Sequence, residues 1–292
     1  MDLESRFSTK EACLSYLEKI RWPEGFKCLR CGSDKAWKTK RGTFFCSGCE
    51  FQTSVTSGTI FDGVRKPLTL WFRAVWLVTS QKNGISALSL QRQLGLSRYE
   101  TAWAMLQRLR QAMIRPGLDL LSGEVEVDET IVGGPTLGKK GRDIEGKALV
   151  VIAAEKNGDK TGRIRMQRIP NANAETLEAF VKTNIQKKSI VETDGWTSYL
   201  GLTDLGYKHR RIKGESVGVE ELVPRVHQVA SLLKRWLLGT HQGGIDKTHL
   251  DGYLNEFTFR FNRRTSANRG KLFRRLIEQA VQIGSGTMDS GS

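Results

Sequence analysis

The sequence predicts a mixed α/β fold carried behind a small metal-bound ribbon and a helical module, on three observations. Four cysteines stand in two C-x-x-C pairs near the N-terminus, two apolar-periodic segments meet at Gly95, and strand-like and helix-like segments alternate from about residue 118 onward. A chain of 292 residues has room for one large core and one or two modules, because single cores stop growing at roughly 250 to 300 residues. The expected division is an N-terminal helix (1–22), a ribbon (23–60), a helical module (61–117), an α/β core (118–282) and a disordered tail (283–292).

Charge narrows the function. Lys and Arg number 46 against 31 Asp and Glu, a net charge of +15. A field of that sign attracts polyanions, so nucleic acid is the expected partner. No segment reaches the roughly 18 consecutive apolar residues of a membrane span, and the N-terminus MDLESRFSTKEACLSYLEK is charged and amphipathic. Neither a membrane span nor a signal peptide is expected, and paired C-x-x-C cysteines suit a metal site in a reducing compartment, which points to the cytoplasm.

In KCLRCGSDKAWKTKRGTFFCSGCEFQTS, Cys28 and Cys31 form one knuckle and Cys46 and Cys49 the other, with 14 residues between the pairs. Two knuckles bring four thiolates into a tetrahedron that suits structural Zn²⁺, and KAWKTKRGTFFC reads as a short hairpin. Cys13 falls on an amphipathic segment and reads as a buried apolar residue rather than a fifth ligand. Lys35, Trp37, Lys38, Lys40, Arg41 and Phe44 interleave basic and aromatic side chains, which leaves DNA contact and a purely structural ribbon both open.

LTLWFRAVWLVTSQ reads as an amphipathic helix. ISALSLQRQLGLSRYETAWAMLQRLRQAM then gives a short helix, a turn at LGLS and a longer helix from about Ser97, the outline of a helix-turn-helix. In that geometry Arg98, Tyr99 and Thr101 open the recognition helix toward the DNA major groove, with Trp103, Leu106 and Leu109 inward. A plain helical bundle is the alternative. RPG at Arg115 to Gly117 closes the module.

The core opens with GEVEVDETIVGG as a strand. KALVVIAAEK and GRIRMQRIP follow as two more, NAETLEAFVKTNI as a capped helix, and SIVETDGWTSY as a strand entering a turn. From Val223 onward the pattern is helical. Alternation places Glu124, Glu126 and Asp128 on one face of the first strand, opposite Val125 and Val127, and pairs Glu192 with Asp194 on the later one. Both strands thus carry an acid at the C-terminal end, where open α/β sheets hold ligands. If the strands are neighbours, Asp128 and Asp194 converge, and two close carboxylates need a cation such as Mg²⁺ or Mn²⁺. Two acids that merely end strands in solvent fit the spacing equally well. In RVHQVASLLKR, His227 and Lys234 lie seven residues apart, within roughly 20° of one helix face.

The stretches EVDETIVGG, VETDGWTSY and RVHQVASLLKRWLLGTHQGGIDKTHLDGYLNEFTFRFNRR, behind a zinc ribbon, resemble the insertion-sequence transposases of the ISXO-like and Merlin-like group across about residues 10–282. The resemblance implies a ribonuclease H-like core with a DDE-type triad, two divalent ions, and cutting and joining of DNA at transposon ends. It also implies a bacterial, nucleoid-associated protein whose partners are inverted-repeat ends and target DNA, working as a homodimer or larger assembly. Carried over, the first two acids fall on Asp128 and Asp194. The third position in many relatives is a glutamate or asparagine seven residues before a lysine. Here Lys234 fits the lysine and His227 occupies the ligand's place.

Three roles for His227 stay open: a metal ligand favouring Mn²⁺, since nitrogen donors match softer ions; a proton-transfer group; or a silent packed side chain. Glu220, Glu221 and Glu256 are substitutes for the third acid, although Glu256 also stands where it pairs with Arg260 four residues on. Lys234 and Arg235 are expected to grip a DNA phosphate near the scissile bond. Arg263, Arg264, Arg269, Lys271, Arg274 and Arg275 form a basic segment expected to follow the DNA backbone. A non-catalytic DNA-binding protein and a structure-specific nuclease are the rival functions.

Overall fold

The computed structural model describes residues 3–114, 119–133, 147–212, 222–241 and 246–282. Glu220, Glu221, the RPG segment at 115–117 and the tail 283–292 lie outside the described residues. The chain divides into two compact units, Met1–Arg115 together with Ser266–Ser292, and Pro116–Thr265.

The first unit begins with α1 (Leu3–Arg6) and α2 (Lys10–Arg21), and Thr9 caps α2 by accepting the Ala12 N–H at 3.1 Å. A three-stranded antiparallel ribbon follows, β1 (Ala36–Lys38), β2 (Phe44–Cys46) and β3 (Gln52–Thr53). Helices α3 (Leu68–Ser80), α4 (Ala87–Leu94) and α5 (Tyr99–Ala112) complete the N-terminal part. Gly95 ends α4 in the left-handed region, φ 64°, where a side chain would be strained, and so sets the turn between the two helices.

The last helix of the chain, α9 (Arg269–Ala280), belongs to this unit too. Its Phe273 packs against Phe7 and, edge to face, against Phe72 at centroid distances of 5.7 and 5.8 Å. The core expected over 118–282 therefore gives up its last helix. An apolar stripe at 3.6-residue period shows that a helix is buried, and nothing in the period says against what.

The second unit is a five-stranded sheet in the order β6-β5-β4-β7-β8, from β4 (Glu124–Val132), β5 (Ala148–Asn157), β6 (Lys160–Ile169), β7 (Ile190–Thr193) and β8 (Lys208–Arg211). β4, β5 and β6 pair antiparallel, while β4–β7 and β7–β8 are parallel. The parallel step needs a crossover, supplied by α6 (Ala174–Asn184), whose N-cap Asn173 accepts the Thr176 N–H at 2.9 Å. β5 is buried on both faces and feeds two cores. Val150, Ile152 and Ala154 pack with α7 (Pro224–His241) and α8 (Leu250–Phe261), while Val151 and Ala153 pack with Val125, Val127, α6 and Tyr199.

The FNRR end of α8 closes the outer edge of the sheet. Asn262 accepts the Ile164 N–H at 2.7 Å and donates to the Ile164 carbonyl at 3.0 Å, so its amide pairs with β6 as a neighbouring strand would. Arg264 stacks on Phe261, 4.0 Å from the ring centroid, and donates to the Thr161 carbonyl. Of the residues expected to track DNA, Arg264 is thus committed to β6, and Arg274 and Arg275 bond to Glu278.

Candidate active site

In the ribbon all four thiol sulfurs lie within 4.8 Å of one another, the Cys28–Cys49 and Cys31–Cys46 pairs at 3.6 and 3.5 Å. A tetrahedral ion with bonds of about 2.3 Å to sulfur sets its ligands roughly 3.8 Å apart, so the cluster fits Zn²⁺ with little adjustment. Burial raises the Cys46 thiol, but the N–H groups of Gly48 and Cys49 and the neighbouring thiols outweigh it and bring it down to about 6, while the same crowding of thiols pushes Cys49 up to about 12, the mutual repulsion that a bound cation relieves. Cys13 is fully buried, away from this cluster in the sequence, and burial pushes its thiol up to about 11.

In the second unit the alternation read from EVEVDE is realised. Val125 and Val127 enter one core, and Glu126 and Asp128 project to the face covered by α7. Parallel pairing sets Glu124 opposite Ile190 and Glu126 opposite Glu192, so the same register continued by two residues brings Asp128 level with Asp194. Asp194 lies just past the end of β7, where its Oδ1 accepts the Trp196 N–H at 3.0 Å. The turn passes through Gly195 at φ 88°, a conformation that glycine takes without strain.

Helix α7 delivers His227, whose Nε2 lies 3.3 Å from Asp128 Oδ2. The helix is seated by a residue sequence reading did not single out. Glu126, 1 % exposed, accepts the Arg225 and Val226 N–H groups at 2.7 and 3.2 Å and the Arg225 guanidinium at 3.0 Å. A carboxylate at a helix N-terminus satisfies orphan donors and meets the positive end of the dipole. Since β4 holds Glu126 and Asp128 two residues apart on one face, fixing the first turn of α7 to Glu126 fixes His227 over Asp128.

Burial pushes the Asp128 carboxyl upward, and the charge of Asp194 adds to it; the Glu129 N–H and His227 act in the other direction. Glu129, next along β4, accepts a hydrogen bond from the buried Tyr199 hydroxyl. Burial, with the charges of Asp128 and Asp194, pushes Glu129 up to about 7 despite that bond. The strand ends therefore hold acids whose ionised forms are only partly compensated by the donors around them. Among the described residues only the four cysteines have all their ligand atoms within 4.8 Å, so Asp128 and His227 meet while Asp194 stands further out. The donor set of two carboxylates and an imidazole, short of positive charge, suits divalent cations.

Lys234 and Arg235 are exposed on α7, and Lys234 follows His227 by two turns on the same face. Glu256 is fully buried in α8 and bonded to Arg260 at 2.9 Å, the pairing expected four residues on. In the first unit Arg98 and Thr101 line a cavity of about 500 Å³ with Arg65 and Lys66, and Tyr99 is 46 % exposed at the start of α5. Leu106 and Leu109 are buried as expected, and Trp103 is half-buried. Among the described residues, no helix is long and apolar enough to cross a membrane.

Comparison with known proteins agrees with this layout. Residues 120–262 match the family described as ISXO2-like transposase domain, and residues 8–52 match the transposase zinc-ribbon domain. An uncharacterized protein in transposable element ISH50 of Halobacterium salinarum is 26 % identical over 277 residues, covering 87 % of this chain and 91 % of its own. The sheet, with three antiparallel strands and two parallel ones and helices on both faces, is the ribonuclease H-like arrangement. With a transposase zinc ribbon over residues 8–52 and an ISXO2-like transposase domain over residues 120–262, the chain carries the two domains of an insertion-sequence transposase, which implies binding to DNA.

Proposed function

We propose that this transposase cleaves DNA strands at the ends of its insertion sequence and joins them to target DNA, using Asp128, Asp194 and His227 as its metal-binding set. The observation that carries the reading is the meeting of Asp128 with His227 at 3.3 Å beside the strand end that bears Asp194. Two Mg²⁺ or Mn²⁺ ions bound there would lower the pKa of an attacking hydroxyl and offset charge on the leaving oxygen.

The chain's own residues do the rest. Asp128 presents its carboxylate from β4 and Asp194 from the turn just past β7, and Glu126 holds the imidazole of His227 against the first of them. Lys234 places an exposed ammonium two turns along the same helix, positioned to take a phosphate of the bound strand. Arg98, Tyr99 and Thr101 read the DNA from the start of α5. Because two transposon ends must be held together, the working form is a dimer or larger assembly on DNA.

The test supplies a labelled inverted-repeat end and a target plasmid. The wild-type chain should cut the end and join its 3′ strand to the plasmid. Asp128→Ala and Asp194→Ala should each lower cleavage by a factor of about 10³ or more while DNA affinity stays within about threefold, as expected for groups that bind catalytic ions. Cleavage that survives both substitutions removes the proposed site, and cleavage without joining makes the chain a nuclease.

A further inference from the structure

Beside the acidic pocket the chain exposes an aromatic side chain that neither the fold nor the metal site uses. Trp196, two residues after Asp194, is 55 % exposed, and Leu200 on the following 3₁₀ turn (Thr197–Leu202) is 50 % exposed. An indole left in water at a surface is ordinary when its ring is free to move. Here the backbone N–H is donated to Asp194 Oδ1 at 3.0 Å, which sets the turn, and the ring N–H to Ser198 Oγ at 2.9 Å, which orients the ring. A ring oriented by a hydrogen bond and left uncovered offers an open face at reduced ordering cost.

Its surroundings say what the face would meet. The Arg211 guanidinium donates to the Gly195 carbonyl at 2.9 Å, placing a cation at the backbone of the same turn. Acid, aromatic ring and guanidinium are thus gathered at one turn, Arg211 reaching it from the end of β8: a carboxylate, a flat apolar surface and a phosphate-binding group. A protein partner would have no use for the carboxylate in that set. A nucleotide uses all three, since its phosphate suits the cation, its base stacks on the indole, and its scissile bond must reach Asp194.

We propose that Trp196 is a base-stacking residue that holds an unpaired or terminal nucleobase of the DNA next to the scissile phosphate, with Arg211 on the adjoining phosphate. Paired bases inside a duplex offer no face to an indole, so the ring selects a nucleotide that is frayed, overhanging or turned out of the helix. Binding energy taken from that neighbouring base orients the phosphodiester over Asp128 and Asp194. The proposal rests on the transposase reading for the role of the site, although the stacking itself does not require strand joining.

The test uses the full chain and two synthetic duplexes of one sequence, one with 2-aminopurine in a three-nucleotide overhang and one with it paired at the centre. No divalent ion is added, so cleavage does not intervene. Wild-type protein should quench the overhanging fluorophore and leave the central one nearly unchanged. Trp196→Ala should abolish the quenching and weaken overhang binding about 5- to 100-fold, with paired-duplex affinity unchanged; Trp196→Phe should restore most of both. Circular dichroism and Mn²⁺ binding equal to wild type in Trp196→Ala separate loss of stacking from loss of fold or metal site. Equal quenching by wild type and Trp196→Ala, or no quenching by either, overturns the proposal. Quenching that depends on Trp196 in a chain that never joins strands keeps the proposal and refutes the strand-transfer reading instead.

Discussion

The carboxylate of Glu126 connects two residues with different histories in the sequence. Its neighbour Asp128 is legible from alternation alone, because Val125 and Val127 mark the buried face and the acids must take the other. Its partner Arg225 lies 99 residues further on, and no local pattern links them. Removing the carboxylate with Glu126→Ala leaves two helix N–H groups and a guanidinium, itself only 19 % exposed, without their acceptor. That change should cost on the order of 3 kcal/mol in urea unfolding, and should weaken Mn²⁺ binding as His227 loses its anchor. A stable variant with undiminished Mn²⁺ affinity would show that α7 is held by its apolar face alone. Glu129 and Tyr199 were invisible for the same reason: one falls on the apolar side of a strand and the other in a turn, and only the fold brings them together.

At the scale of elements, strands and helices with a strong apolar period were readable and weakly patterned ones were not. β5 and β6 appear where KALVVIAAEK and GRIRMQRIP put them, as does the capped helix α6. β8, Lys208–Arg211, was missed because KHRR has no buried position to alternate with; it is an edge strand in parallel register beside β7. One ion pair ties β5 to β6 and gives the sheet a pH signature. Glu155 accepts the Ser122 N–H at 2.8 Å and the Arg163 guanidinium at 2.8 and 2.5 Å. Burial would raise its carboxyl, but the Arg163 and Ser122 donors outweigh it and hold the group below its ordinary 4.5. A depressed carboxylate stabilises the fold above its unfolded pKa and stops doing so as pH falls through the folded value. Stability of the second unit should therefore fall more steeply below about pH 4.5 in wild type than in Glu155→Gln, as measured by urea midpoints at successive pH values. Parallel pH profiles would remove this pair from the acid response.

The whole molecule joins a sheet that holds itself together to a ribbon that does not. Packing on both faces of β5 gives the second unit two continuous cores, whereas the ribbon has three short strands and the small cluster of Trp22, Phe26 and Phe44. Removing Zn²⁺ with a chelator should bring amide exchange at residues 27–53 to near-open rates while β4, β5 and β6 stay protected, because four thiolates without their ion repel and leave little else to close the loop. Protection in the ribbon that outlasts the metal would make the aromatic cluster its main support. That a ribbon precedes an α/β sheet was legible, from cysteine spacing and from strand alternation. The return of α9 to the first unit was not, since it depends on Phe273 finding Phe7 and Phe72 across most of the chain's length.

The functional account depends on cations entering between two strand ends and a helix start. Crystals soaked in Mn²⁺ and measured for anomalous scattering test this directly. The account predicts anomalous peaks at Asp128 and Asp194, with at least one ion within ligand distance of His227. Peaks confined to other surfaces, or an acidic pocket that stays empty at saturating Mn²⁺, would contradict it.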